Sequence, residues 1–220
     1  WGTRLEFKGE GGEEGGENKD GAAGPHVFVN YMSIGIDAKV ATIFDAMRNK
    51  NPRRFRSRLG NKLWYAVAGA RAAPGTAKLA TVCSLTVDDT PVPIPPSAKS
   101  LVLINIKTYM GGTDLWGRDK GESKKGCVCL HTPNAGETRF VPADMGDGLI
   151  EVMAMGGSAA IGMVKIFRGT ARRLAQGRKV VITCDAEKTY GQRDGEAWLF
   201  ERPFSVTVEP MDPALMGVKK

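Results

Sequence analysis

Residues 27–47 read VFVNYMSIGIDAKVATIFDAM, and a change of rhythm inside this stretch sets the fold class. From Val27 to Ile36 the chain is apolar and rich in β-branched and aromatic residues, the composition of a strand. Beyond Asp37, the residues Val40, Ile43, Phe44 and Met47 recur at the i, i+3, i+4, i+7 spacing of one buried helical face. Asp37 stands where a helix N-cap belongs, and Asn51-Pro52 closes the helix. Leu59, Leu63, Trp64 and Val67 repeat the helical spacing and predict a second helix ending near Gly69.

Downstream the chain turns to strands, predicted over 79–87, 100–106, 149–155, 178–183, 197–201 and 204–209. Pro91-Val-Pro-Ile-Pro-Pro96 cannot pair inside a sheet and reads as a loop. Residues 156–169 predict a third helix across the sheet, and 118–142 an inserted, glycine-rich loop. Many strands with three helices give a mainly β fold with helices (α+β), a β-sandwich with helical additions. The 220 residues suffice for one sizeable domain, expected over 26–210 with a C-terminal tail at 211–220. Residues 1–25 have little apolar surface to offset ordering entropy, and they are expected to be a disordered Gly/Glu-rich linker.

Charge divides the chain unevenly. Six acids against three bases leave residues 1–24 at −3, so the total of +7 puts +10 on the remainder. Seven cations and no acid lie between Arg48 and Lys62, and six cations and no acid between Lys165 and Lys179. Such clusters point to an anionic partner or to a solvated helical face. Nucleic acid is not expected, because no aromatic stacking pattern interleaves the basic segments. The longest uncharged apolar stretch, Val152 to Val164, falls well short of a membrane span. Four cysteines in a chain of this length do not make a disulfide scaffold, and a reducing, cytoplasmic setting is the expectation.

Two acidic stretches could carry chemistry. In Gln192-Arg193-Asp194-Gly195-Glu196, Asp-Gly is a common hairpin turn. Asp194 and Glu196 could project into one cleft, one accepting a proton from an attacking hydroxyl while the other orients it. In Asp144-Met-Gly-Asp147-Gly-Leu149, two carboxylates and a carbonyl in a glycine loop suit a hard cation such as Mg²⁺. GxxxxGK[ST] is absent, so the chain shows no phosphate cradle of its own. Gly111 to Gly117, GGTDLWG, reads either as a close backbone approach to a ligand or as a tight turn anchored by Trp116.

Six stretches, taken in order, resemble the accessory (C-terminal) domain of eukaryotic diacylglycerol kinases. They are NYMSIGIDA at 30–38, SRLGNKLWY at 57–65, GGTDLWG at 111–117, DGLIEV at 147–152, GTARRLAQG at 169–177 and DGEAW at 194–198. The resemblance implies transfer of the ATP γ-phosphate to diacylglycerol, giving phosphatidic acid, in a cleft between this β-sandwich domain and a GGDGT-bearing ATP-binding half. That half is missing here, the Trp1 start agrees with truncation, and the chain alone is expected to be inactive. A non-catalytic anionic-lipid-binding module, or a sphingosine or ceramide kinase, are the alternatives.

The resemblance makes Asp194 the general base, with Glu196 in support, and Asp144, Asp147 and the Leu149 carbonyl a Mg²⁺ site. It places Asn30, Tyr31, Ser33, Gly35 and Asp37 along the lipid cleft. It also gives the basic clusters a purpose, with Arg53, Arg54 and Arg56 contacting an anionic membrane surface. Diacylglycerol, ATP through the missing half, and that membrane are the implied partners, and peripheral membrane association the implied location.

Overall fold

The computed structural model describes residues 2–7, 26–109, 114–117, 128–129, 140–156 and 171–211. Among them the fold is mainly β with a few helices, an α+β architecture in which two sheets face each other. One sheet runs, in spatial order, β2 (His26–Val27), β1 (Gly2–Phe7), β13 (Phe204–Glu209), β10 (Val180–Cys184), β4 (Cys83–Val87) and β5 (Thr90–Pro91). The other runs β12 (Glu196–Phe200), β11 (Thr189–Arg193), β3 (Tyr31–Gly35), β6 (Ala98–Ile104), β8 (Ile150–Gly156), β9 (Ala171–Gly177) and β7 (Val128–Cys129).

Alternation explains the first sheet. Val180, Ile182 and Cys184 on β10, with Phe204, Val206 and Val208 on β13, point inward, while Val181, Thr183, Ser205 and Thr207 lie toward the outside. The second sheet is covered on both faces. Leu101 and Leu103 of β6 enter the core between the sheets, while Val102 and Ile104 meet a second core under the helices. A strand buried on both sides loses its alternation, which is why Leu101 to Ile104 reads as an uninterrupted apolar run.

The second core is roofed by α1 (Ile36–Lys50) and α2 (Arg58–Ala72), joined by a single 3₁₀ turn at Pro52–Phe55. α1 leaves β3 directly at Gly35, whose φ of 115° lies in the left-handed half of backbone space. A Cβ at this position would overlap the Lys99 carbonyl oxygen on β6, so glycine is required twice over. Ser57 caps α2, its Oγ accepting from Gly60 N at 2.9 Å.

Several expectations change. Asp37 is not the N-cap of α1: Gly35 holds that place, and Asp37 lies in the first turn. The strand expected from Val27 is interrupted over 28–30 and resumes at Tyr31. Leu79–Val82 is a helical turn ahead of β4, because its backbone closes locally before the chain reaches β10. Residues 2–7, assigned above to the linker, form β1, since their backbone pairs in register with β13 from Gly2↔Glu209 to Phe7↔Phe204. β9 and β11 were missed as strands because their sequences, ARRLAQG and TYGQR, are polar and carry glycine. On α2, Leu59 and Leu63 are exposed, and the buried positions among the described residues are Ala68, Gly69 and Ala72. The helix expected over 156–169, most of the 118–142 insertion, residues 8–25 and the tail beyond 211 lie outside the described residues.

Replacing Gly35 by alanine is expected to lower the unfolding free energy by at least about 2 kcal/mol, through backbone strain and the overlap with Lys99. A urea titration with an unshifted midpoint would contradict this account of the β3–α1 junction.

Candidate functional site

Asp194 and Gly195 form the turn between β11 and β12, with φ of 46° and 93°. Two successive left-handed residues match the twist of a two-residue hairpin, and aspartate tolerates that region better than most residues. The Asp194 carboxylate reaches back to the start of β3. Its Oδ2 accepts from Val29 N at 2.7 Å, and its Oδ1 accepts from Asn30 N and Tyr31 N, both at 2.9 Å. Asp194 N donates to Tyr31 O at 3.0 Å. A carboxylate offers about four acceptor positions; among the described residues three are committed to backbone, and one, on Oδ2, is left over. Glu196 begins β12 opposite Arg193 and is exposed. The Arg193 guanidinium sits 4.7 Å from the Trp198 ring centroid; burial depresses its pKa, against the opposing pull of Glu196 and Asp194.

The β4–β5 hairpin repeats the device. Asp88, also left-handed at φ 46°, accepts from Arg178 N at 2.9 Å and Lys179 N at 2.8 Å through Oδ1. In both hairpins an aspartate at the turn fastens a neighbouring stretch of backbone.

Beside the Asp194 hairpin lies a buried polar cluster. The Asp37 carboxylate accepts from Ser100 Oγ at 2.7 Å on one oxygen, and from Tyr109 Oη at 2.7 Å and Gln192 Nε2 at 3.0 Å on the other. Asp37 N donates to Ser100 Oγ at 3.1 Å. Burial raises the Tyr109 pKa, and the Asp37 charge and hydrogen bond raise it further, so the phenol stays a neutral donor. Tyr31 packs edge-on against Tyr109 with ring centroids 4.8 Å apart, and burial, then Asp194 and Asp37, raise its pKa too. Contacts therefore run from Asp194 through Tyr31 and Tyr109 to Asp37.

The expected cleft residues separate into two groups. Asn30 and Tyr31 are half-buried and touch Asp194. Ser33, Gly35 and Asp37 are buried within this domain and present no surface to a cleft, because α1 covers that face of β3. The Ser33 hydroxyl has no hydrogen-bond partner among the described residues.

Asp144 and Asp147 each close a short turn of their own, Asp144 Oδ1 accepting from Gly146 N at 2.9 Å and Asp147 Oδ1 from Leu149 N at 2.8 Å. Asp144 is exposed, Asp147 half-buried and Leu149 buried. Among the described residues no group of three His, Cys, Asp or Glu side chains is placed to hold a metal ion. Two residues further on, Glu151 is buried on β8 and accepts from Gln176 Nε2 at 2.9 Å. Burial pushes its pKa up to about 7, with the negative charges of Asp147 and Asp144 adding to the rise and the Gln176 bond opposing it.

Arg53, Arg54 and Arg56 are exposed on and just after the 3₁₀ turn, and the Arg54 guanidinium stands 5.9 Å from the Trp64 ring centroid. GGTDLWG is described only over Asp114–Gly117, which is a turn: Gly117 N donates to Asp114 Oδ1 at 2.6 Å, and Trp116 is buried with its Nε1 donating to Val141 O at 2.9 Å. Sequence reading missed Ser100, Tyr109 and Gln192. Gln192 lies inside the stretch quoted for its acids, and a polar residue paired across from a strand that reads as buried was the available signal.

Residues 27–197 match the family model described as Diacylglycerol kinase accessory domain. The chain belongs to that family. It is 32% identical over 193 residues to Diacylglycerol kinase kappa of Homo sapiens, covering 86% of this chain and 14% of that protein. It is 33% identical over 196 residues to Diacylglycerol kinase 1 of Arabidopsis thaliana, covering 87% of this chain and 24% of that protein. The chain thus spans about a quarter or less of the length of these relatives. A solved structure from Bacillus anthracis aligns over 94% of this chain and 54% of its own, at 15% identity and a TM-score of 0.39. Among the described residues no helix is long and apolar enough to cross a membrane.

Glu151 generates a pH prediction. Its folded pKa of about 7 exceeds the ordinary 4.5, so the native state holds the extra proton and stability falls as pH rises from about 4.5 through about 7. In the presence of a chelator, Glu151→Gln is expected to flatten that decline and to be the more stable form above pH 7, by an amount on the order of 1–3 kcal/mol. Parallel melting curves for both forms from acid to neutral pH would count against the assignment.

Proposed function

We propose that this chain is the C-terminal half of a kinase that phosphorylates diacylglycerol to phosphatidic acid, and that it is inactive without an ATP-binding half. Family membership supports the substrate class, and the relatives named above are diacylglycerol kinases several times longer than this chain. The observation that carries the site is Asp194: held on the Val29–Tyr31 backbone at an exposed hairpin tip, it keeps one acceptor position on Oδ2. The diacylglycerol hydroxyl gives its proton to that oxygen while its own oxygen bonds to the γ-phosphorus. The bond from that phosphorus to the bridging oxygen breaks, and ADP leaves. Glu196 orients the hydroxyl from the same hairpin, and Asn30 and Tyr31 border the approach.

The residues of the 144–149 loop fit Mg²⁺ in donor type. Each aspartate has a second carboxylate oxygen outside its local turn, the Leu149 carbonyl is a third hard donor, and Mg²⁺ keeps waters for its other positions. Bound there, Mg²⁺ would supply positive charge and fix the loop. The working enzyme is cytoplasmic and meets an anionic membrane surface through Arg53, Arg54 and Arg56.

A second reading has its own observation. Three backbone bonds to Asp194, with two to Asp88 in the other hairpin, favour a purely structural aspartate in a non-catalytic lipid-binding module. One experiment separates the two. With the upstream half restored, Asp194→Asn is expected to lower kcat by ~10²–10⁴-fold, measured below the variant's own melting transition. Near-parental turnover by folded variant would leave only the structural role, and absence of phosphatidic acid formation by the parent enzyme would refute the kinase reading outright.

A further inference from the structure

α2 is apolar on two faces. Its inner face sends Ala68 and Ala72 into the core beneath the helices, with Tyr65 against it. Its outer face carries Leu59 and Leu63, one turn apart, at 80% and 65% exposed the most exposed large apolar side chains among the described residues. A single exposed leucine is ordinary. Here, however, two stack at i and i+4 inside the densest positive run of the chain. Arg53, Arg54, Arg56 and Lys62 are all exposed, and no acid falls between Arg48 and Lys62. At the start of that run, Arg48 is engaged by Asp45 at 2.9 Å.

The corner is also held in shape. Phe55 packs between Phe44 and Trp64, with ring centroids 5.3 and 5.7 Å away, and Ser57 caps the helix that presents the leucines. Ordering was settled when the domain folded, so little is left to be lost on docking.

We propose that this corner docks on an anionic lipid bilayer, Leu59 and Leu63 entering the boundary between headgroups and acyl chains while Arg53, Arg54, Arg56 and Lys62 meet the headgroups. Charge complementarity selects the bilayer: the cations are drawn to anionic lipid, and the paired leucines lose water only on entering an apolar phase. The inference deepens the kinase reading, since it names the face by which the enzyme reaches a substrate dissolved in membrane.

Flotation of the 220-residue chain with phosphatidylcholine vesicles, with and without phosphatidylserine and without ATP or diacylglycerol, tests it. The chain is expected to float with anionic vesicles, and Leu59→Ser/Leu63→Ser to reduce the partition coefficient at least about tenfold. Arg53→Glu/Arg54→Glu/Arg56→Glu is expected to remove the preference for phosphatidylserine. Far-UV circular dichroism checks the fold, and Leu59→Ser alone, at the more exposed position, stands in if the double variant misfolds. Parental flotation by the leucine variant, or a parent indifferent to phosphatidylserine, overturns the proposal. So does a leucine variant that floats normally but no longer binds the upstream half in solution, which would make the face a protein contact. Because no phosphoryl transfer is measured, the result stands apart from the kinase reading, which a short-chain, water-dispersed diacylglycerol assay decides separately.

Discussion

A carboxylate buried under a helix is costly unless every lone pair it keeps from water is answered, and Asp37 is answered from three directions. Ser100 comes from β6, Tyr109 from the loop beyond it, and Gln192 from β11, while Asp37 itself opens α1 at the end favourable to negative charge. One side chain therefore ties the first helix to two strands that are not neighbours of each other in the sheet. Withdrawing it would strip the Tyr109 and Ser100 hydroxyls of the acceptor they donate to and leave Gln192 Nε2 its 3.3 Å bond to Tyr109 Oη. The registers of β3, β6 and β11, and with them the hairpin that carries Asp194, rest on that arrangement.

The hairpin aspartates show how a turn signal becomes tertiary structure. An Asp-Gly pair specifies left-handed backbone, but the turn alone leaves the carboxylate free to point anywhere. At Asp194 it finds three N–H groups of a segment more than 160 residues earlier, and at Asp88 two from the β9–β10 connection. Charge-assisted bonds to backbone are stronger than neutral ones, so both hairpins act as clamps between distant parts of the chain. For Asp194 the clamp and the proposed chemistry use different lone pairs of one group. The clamp thus fixes the orientation on which the proposed chemistry relies.

Hydrophobicity is distributed with equal economy. The sheet containing β3 is covered on one face by the opposing sheet and on the other by α1 and α2, so two cores share one layer of backbone. α2 contributes small residues inward, where it packs against α1, and leaves its leucines outward beside a run of arginines. Two exposed leucines at helical spacing offer no benefit to a domain in water alone. The positive charge gathered around them is what the proposed bilayer contact draws on.

Much of this was legible in the sequence. The switch from β composition to helical spacing within 31–47, the stop at Asn51-Pro52, and the strand at 204–209 come from local chemistry that tertiary contacts did not override. The acidic turn at Asp194 and the exposed arginines were legible for the same reason. What could not be read was direction. Helical spacing marks Leu59 and Leu63 as sharing a face but is silent on whether that face meets a core or the outside, because periodicity is blind to what stands opposite. Likewise nothing local distinguishes the buried Asp37 from the exposed Asp144. Burial is decided by which distant segments arrive, here Ser100, Tyr109 and Gln192, and the pairing of those segments exists only once the sheets have formed.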